Sequence, residues 1–288
     1  ASEFYADVLG WSVVDQGQEY GGYRIAQADG IPAAGIGPQQ QPGPPAWTLY
    51  FASDDADATA AAITEAGGTV LLPTDVVGPL GRMCIAADPT GAVFGVWQAG
   101  AHIGAGIVNE PGGMTWEDLR TSDPDAARTF YAQVFGHHFA PMQGAPDSYQ
   151  VFAPADGAQP LGGIGPFMYP DTPPHWVVHF AVADADVAQS KALARGGAVA
   201  TPRFVTPFGP MVGLTDPFGA LFWVVGPQQG PAGVATPPDR YGRGSGPGCR
   251  RARRCVAELA EQHRSALPDD LDGGQPRLHR QWREAAQV

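Results

Sequence analysis

The sequence contains few cysteines and no long apolar run. Three cysteines occur among 288 residues, and they form neither a CxxC pair nor a disulfide framework, so we expect a cytoplasmic location. The apolar stretches are too short to span a membrane, and the first residues do not show the pattern of a secretory signal. We therefore expect no membrane association.

Positive charge is also scarce. Lys191 is the single lysine, and 29 acidic residues outnumber 17 basic ones, which gives a net charge of −12. Nucleic-acid binding requires clustered basic side chains, so we expect no nucleic acid partner. An apolar content of 44% is typical of a globular protein.

The C-terminal part of the chain, residues 228–288, differs from the rest in composition. It is rich in proline, glycine and arginine and is not periodic over most of its length. Such a composition is typical of a linker or a disordered tail. Within it, Val256, Leu259 and Ala260 stand at helical spacing, so we predict a short helix over residues 249–267.

The remainder of the chain is an internal duplication. Four short blocks recur in the same order, and the first, Phe4-Tyr5-Ala6, returns 126 residues later as Phe130-Tyr131-Ala132. The last, Asp88-Pro89, returns 128 residues later as Asp216-Pro217. A repeat of this kind indicates two copies of one structural unit. We predict two tandem domains over residues 1–100 and 114–227.

Each copy divides further into two similar modules. Residues 114–121 alternate like a strand, Ser122-Asp123-Pro124 is typical of a helix start, and Gly136 is typical of a helix end. Further strand signals follow, and the whole pattern then repeats. The second copy therefore reads βαβββ twice, which predicts an α+β fold. The first copy begins inside its first helix and lacks the strand that corresponds to residues 114–121.

The FYxxxxG block, the DPxGxxF block and the paired βαβββ modules resemble the vicinal oxygen chelate superfamily. This superfamily includes glyoxalase I, bleomycin-resistance proteins and extradiol dioxygenases. The resemblance implies that the strands of each domain curl into a cup that holds a small molecule. In metal-dependent members it implies ligands on the first and last strands of each module.

The positions that correspond to those metal ligands carry other residue types here. In the second copy they are Trp116, Val177 and Trp223, and in the first copy they are Thr48 and Gly95. These side chains do not bind divalent metals, so we expect neither a metal nor another cofactor. An alignment shifted by two residues would leave His175 or His179 as a candidate ligand.

The strand parity also predicts which side chains face the cup. Asp118 and His179 are candidates for a proton-transfer pair, although a histidine satisfied by a neighbouring carboxylate is an alternative. His137 and His138 are predicted to be exposed loop residues, and Cys84 is predicted to be a core residue. The tryptophans either stack on a planar ligand or fill the cup as a dry core. The candidate ligand-binding residues are Trp116, Arg120, His175, Val177, Phe208, Met211 and Trp223 in the second copy, and Tyr50 and Trp97 in the first.

Three functions are compatible with these residues. The first is a metal-free binding protein of the bleomycin-resistance type for a hydrophobic or aromatic secondary metabolite, acting as a monomer or homodimer. The second is a metal-free isomerase, cyclase or lyase that uses Asp118 and His179. The third is a metal-dependent lyase or dioxygenase. Because one fold hosts many chemistries, the fold alone does not separate them.

Overall fold

The computed structural model describes residues 1–39, 43–157, 159–168, 172–228 and 255–261. The α+β prediction is confirmed, with helices and two eight-stranded sheets in the described part of the chain. None of the helices described there combines the length and apolar character that crossing a membrane requires. The helices are α1 (Ser2–Leu9), α2 (Ala56–Glu65), α3 (Pro124–Phe135) and α4 (Ala185–Ala194).

The first sheet contains both modules of the first copy and has the strand order β1-β2-β3-β16-β4-β7-β6-β5. Seven of its strands come from the first hundred residues, and β16 comes from the C-terminal part. The bounds are β1 (Ser12–Asp15), β2 (Arg24–Ala28), β3 (Ile31–Pro38), β4 (Trp47–Ala52), β5 (Thr69–Val77), β6 (Gly81–Ala87), β7 (Val93–Ala99) and β16 (Cys255–Glu261).

The second sheet has the corresponding order β13-β14-β15-β12-β8-β11-β10-β9. Its chain order, with α3 after β8 and α4 after β12, is the βαβββ pattern twice, as the sequence predicts. The bounds are β8 (Met114–Thr121), β9 (His138–Pro141), β10 (Gln150–Ala153), β11 (Gly162–Pro166), β12 (His175–Ala181), β13 (Ala198–Thr206), β14 (Gly209–Thr215) and β15 (Leu221–Val225).

Strand β16 occupies the place in the first sheet that β8 occupies in the second. It runs parallel to β3 and antiparallel to β4, as β8 runs parallel to β11 and antiparallel to β12. Glu258 lies opposite Gly35 and Thr48 in this register. The helix prediction is wrong for these seven residues, because unpaired edges of β3 and β4 offer ladder hydrogen bonds that outweigh local helix propensity. The other tail residues assigned to that helix lie outside the described residues.

Helix α3 has the ends that its sequence predicts. The Asp123 carboxylate accepts a hydrogen bond from the Ala126 amide at 3.0 Å, and Pro124 occupies the first turn. Gly136 ends the helix in the left-handed conformation, with φ of 66°. His137 follows and is buried against Phe152, with ring centroids 5.0 Å apart. The prediction that His137 is exposed is wrong, because this turn carries the chain inward. His138 is exposed, at the start of β9.

The two copies share one core, and the duplicated blocks meet across it. Helix α1 packs against α4, and α2 packs against α3. The Tyr131 hydroxyl of the second copy donates to Asp88 of the first at 3.1 Å. The Tyr5 hydroxyl of the first copy donates to Asp216 of the second at 3.3 Å. The duplicated tyrosine and aspartate blocks therefore join the two domains through hydrogen bonds.

Two buried tryptophans complete these interdomain contacts. Trp176 donates its indole N–H to the Tyr131 hydroxyl at 3.1 Å, and Trp47 donates to the Tyr5 hydroxyl at 3.2 Å. Burial raises the pKa of the Tyr131 hydroxyl well above its usual value, and the Asp88 charge adds to this. Tyr131 therefore remains a hydrogen-bond donor at any physiological pH.

Candidate functional site

A pocket opens on one face of the second sheet. It contains about 290 Å³ of empty space, part of it continuous with solvent. Five of its lining residues come from the positions that strand parity predicts, and Met211 is a further candidate from the sequence. Two others, Met168 and Phe204, are not among the candidates. The lining residues are Asp118, Arg120, Met168, Val177, His179, Phe204, Met211 and Trp223.

The strand register explains why these residues converge. Val177 on β12 lies opposite Asp118 on β8, because the two central strands are antiparallel there. His179, two residues further along β12, lies opposite Trp223 on the parallel strand β15. Residues at alternate positions share a face of a sheet, so the register brings these side chains to one face.

Asp118 is the centre of a polar network in this pocket. Its Oδ1 accepts hydrogen bonds from the Tyr149 hydroxyl at 2.7 Å and from the Trp116 indole at 3.0 Å. Its Oδ2 accepts from Arg120 Nη2 at 2.6 Å. The residue is only 6% exposed. Three donors therefore hold this carboxylate in one orientation.

Tyr149 is a member of the site that the sequence analysis missed. Burial raises the pKa of its hydroxyl well above the usual value, and the Asp118 charge and hydrogen bond add to this, so the hydroxyl is a fixed donor. Its ring lies over Gly163, where a Cβ atom would be 2.0 Å from the hydroxyl oxygen. The repeat carries the signal that would have found it, because Tyr23 lies over Gly35 in the same way in the first copy.

His179 has one ring nitrogen fixed by the backbone. Its Nδ1 lies 3.1 Å from the Trp116 carbonyl oxygen, so Nδ1 carries the hydrogen in the neutral ring. Burial lowers the pKa of this histidine, partly opposed by the Asp118 charge, so the ring is neutral at physiological pH. No hydrogen bond joins His179 to Asp118 among the described contacts. The two candidates share the pocket without forming a bonded pair.

Aromatic side chains form the apolar part of the site. Trp223 stacks on the His179 ring, with centroids 5.7 Å apart, and Phe204 meets Trp223 edge-to-face at 5.8 Å. Phe208, largely exposed, stacks on Trp116 at 6.3 Å beside the pocket. Trp223 itself is 4% exposed. The tryptophans thus pack in the wall of a pocket that still contains open space. This arrangement lies between the two predictions from the sequence, which were rings that stack on a ligand and rings that fill the cup as a dry core.

The remaining sequence candidates lie away from this pocket. His175 is at the end of β12 opposite Arg120, and its Nδ1 is 2.8 Å from the Pro173 carbonyl oxygen. In the first domain, Tyr50 is buried against Gly95, where a Cβ would lie 2.2 Å from the tyrosine ring. Trp97 donates to the His102 carbonyl at 2.9 Å. Tyr50 therefore fills space that corresponds to the open part of the second domain.

Cys84 is buried in the first domain, as predicted for a core residue. Burial raises the pKa of its thiol to about 11, with the Asp57 charge adding to the shift. Because a thiolate is the reactive form, this thiol is inert at neutral pH.

Glu117 is a buried acid on the face of β8 opposite Asp118. Burial raises the pKa of this carboxyl well above its usual value, and the Asp118 charge adds to the shift. Its Oε2 has no hydrogen-bond partner among the described residues. The folded protein therefore holds this group in its protonated form, whereas the unfolded chain ionises it above about pH 4.3.

The Glu117→Gln variant should show this difference as a pH dependence of stability. Rising pH favours the unfolded wild type, because only the unfolded chain releases the proton. The variant should therefore gain unfolding free energy relative to wild type as pH rises from about 4.5 toward 7.5. At pH 7.5, each unit by which folding raises this pKa contributes about 1.4 kcal/mol to the difference in unfolding free energy between the variant and wild type. Urea unfolding at both pH values measures this difference, and Glu65→Gln, at an exposed position, is the control. A difference between Glu117→Gln and wild type that does not change with pH would contradict the prediction.

Comparison with known proteins identifies the family. Residues 101–224 match the Glyoxalase/Bleomycin resistance protein/Dioxygenase superfamily, and residues 1–97 match a glyoxalase-like domain. The Mycobacterium bovis protein CFP32, which carries a glyoxylase name, is 40% identical over 236 residues, covering 79% of this chain and 89% of that protein. This chain belongs to the glyoxalase/bleomycin resistance/dioxygenase superfamily. The resemblance stated from the motifs is thereby confirmed.

Relatives of this chain also include a protein named for anthracycline biosynthesis. The anthracycline biosynthesis protein DnrV of Streptomyces peucetius is 38% identical over 255 residues, with 80% of this chain and 89% of that protein covered. Solved structures with the same fold include the Mn(II)-bound glyoxalase from Novosphingobium aromaticivorans, with a TM-score of 0.54 at 15% identity over 79% of this chain and 77% of that one. The 2,3-dioxygenase LapB from Pseudomonas sp. KL28 has a TM-score of 0.51 at 14% identity, over 82% and 90%.

The residues of the second-domain pocket do not fit the divalent metal used by some superfamily members. Asp118 already accepts three hydrogen bonds, one of them from the Arg120 cation, and His179 Nδ1 is bonded to a backbone carbonyl. No group of three His, Cys, Asp or Glu side chains suited to a metal occurs within the described residues. A cation there would face a guanidinium group and have too few free donors.

Proposed function

We propose that this protein binds an aromatic small molecule of secondary metabolism in the second-domain pocket, as a cytoplasmic, metal-free binding protein. The observation that carries the proposal is the composition of that pocket. It joins an apolar aromatic wall, formed by Trp223 and Phe204, to a fixed polar network around Asp118. Apolar pockets with a few oriented polar groups are typical of small-molecule sites. The names of the related anthracycline biosynthesis proteins support an aromatic ligand.

Titration with aromatic compounds tests this function. Two-ring probes such as 2-naphthol and three-ring probes such as hydroxyanthraquinones should quench tryptophan fluorescence and show saturable binding by calorimetry. Trp223→Ala removes the aromatic wall and should weaken binding roughly 30-fold, corresponding to about 2 kcal/mol.

Trp97→Ala is the matched control, because it removes a tryptophan from the first domain. It should leave the affinity unchanged. Failure of every aromatic probe to bind, or weaker binding only in Trp97→Ala, would contradict the proposed site. Bound Fe, Mn, Ni or Zn in stoichiometric amount would contradict the metal-free assignment.

Proton transfer by the same pocket is the second candidate function. The observation that favours it is the neutral His179 ring in the lining of the pocket, because a neutral imidazole can accept a proton. Asp118 supports it less, since its oxygens are bonded to Tyr149, Trp116 and Arg120 rather than to His179. Conversion of a bound aromatic probe by wild type, lost in His179→Gln with binding retained, would establish catalysis; no conversion by either would leave binding as the function.

A further inference from the structure

Among the described residues, Arg120 is the one cationic side chain that lines the second-domain pocket. The guanidinium group has five N–H donors. One of them, on Nη2, donates the hydrogen bond to Asp118. Its Nε is buried and has no hydrogen-bond partner within the part of the chain that the structure describes. The side chain is only 16% exposed. Buried N–H groups without acceptors cost free energy, so this guanidinium has unused capacity for an acceptor.

The ion pair with Asp118 engages an Nη2 N–H of Arg120 and leaves its Nε without an acceptor among the described residues. The Tyr149 hydroxyl and the Trp116 indole donate to the same carboxylate, which lowers the negative charge that Asp118 presents to the pocket. The guanidinium lies over the Tyr149 ring at 5.3 Å, which fixes its plane. The adjoining Val177 and Trp223 are apolar and buried, and a low local dielectric strengthens a charge-assisted hydrogen bond.

We propose that the ligand is an aromatic acid whose anionic oxygen accepts hydrogen bonds from Arg120. The carboxylate, or an acidic phenolate of the same geometry, lies beside the guanidinium, while the ring system packs along Trp223 and Phe204. Arg120 is then the residue that selects acids over neutral aromatics. This inference rests on the proposed binding function and names the ligand class of that same pocket.

A pair of isosteric probes tests the proposal on the wild-type protein. 2-Naphthoate and 2-naphthamide differ in charge and share the ring system. We expect the acid to bind about tenfold more tightly or better, because a charged acceptor makes the stronger hydrogen bond to a guanidinium. The preference should persist when salt is raised from 50 to 500 mM, since a buried pair is screened little. Equal affinity for the two probes would overturn the proposal.

Variants of Arg120 then locate the preference. Arg120→Met should remove the preference for 2-naphthoate while 2-naphthamide still binds, and Arg120→Lys should retain part of it. Arg82→Met, which removes a half-buried, ion-paired arginine from the first domain, should leave the preference unchanged. A preference that survives in a folded Arg120→Met protein would place the anion elsewhere and overturn the assignment.

The outcomes separate this inference from the proposed function. If neither naphthalene probe nor any other aromatic compound binds, the binding function itself fails. If both probes bind with equal affinity, only the acid selectivity fails. Should Arg120→Met not fold, the wild-type probe pair and the Arg120→Lys variant still decide the question.

Discussion

Replacing Asp88 by alanine should lower the free energy of unfolding by about 3–5 kcal/mol. This buried carboxylate accepts three hydrogen bonds within its own turn, from the Thr90 amide at 2.8 Å, the Thr90 hydroxyl at 2.7 Å and the Ala92 amide at 3.1 Å. Its second oxygen accepts the interdomain bond from Tyr131. Alanine leaves these donors without an acceptor, and the buried ones cannot turn to water.

Urea unfolding measures the effect, and a matched variant tests its cause. Asp147→Ala removes an exposed carboxylate without a described hydrogen bond and should change stability by less than about 0.5 kcal/mol. A double-mutant cycle of Asp88→Asn with Tyr131→Phe isolates the interdomain bond. A loss below about 1 kcal/mol for Asp88→Ala would show that the duplicated blocks do not hold the two copies together.

Replacing Gly163 by alanine should damage the pocket and the fold together. The new Cβ would stand 2.0 Å from the Tyr149 hydroxyl oxygen, so the tyrosine must leave its position over the strand. Asp118 then loses its 2.7 Å hydrogen bond, and Arg120 loses the ring beneath it. We expect a stability loss of about 2–4 kcal/mol, from overpacking and the lost bond. We also expect aromatic probes to bind at least about tenfold more weakly.

Gly35→Ala makes the same substitution in the first copy. Its Cβ would stand 1.9 Å from the Tyr23 hydroxyl oxygen, so a similar loss of stability is expected. Because the proposed ligand pocket is in the second domain, its affinity for probes should remain at the wild-type value. Chemical unfolding together with calorimetry on both variants checks this. Equal effects on affinity would show that Gly163→Ala acts through general instability rather than through Tyr149.

Local sequence patterns determined the modular architecture of this protein. The duplication separated the two domains, and the cap at Asp123 and the stop at Gly136 placed a helix between strands. Strand alternation then placed Asp118 and Arg120 on one face of β8. These predictions succeeded because helix caps and strand periodicity depend on residues only a few positions apart.

The tertiary structure decided which partners these residues have. Tyr149 rather than His179 bonds to Asp118, because β10 and β11 bring the tyrosine over Gly163. Glu258 occupies a central sheet position although its segment has a helical pattern, because β3 and β4 offer it a ladder on both sides.

The sequence by itself therefore determined the modules, the strand faces and the residue types available to the pocket. Only the tertiary structure decided that Asp118 is committed to Arg120, and that Tyr131 of one copy bonds to Asp88 of the other. The physical reason is range. Periodicity and capping act over a few residues, whereas a hydrogen bond requires atoms from distant segments to lie within about 3 Å of each other.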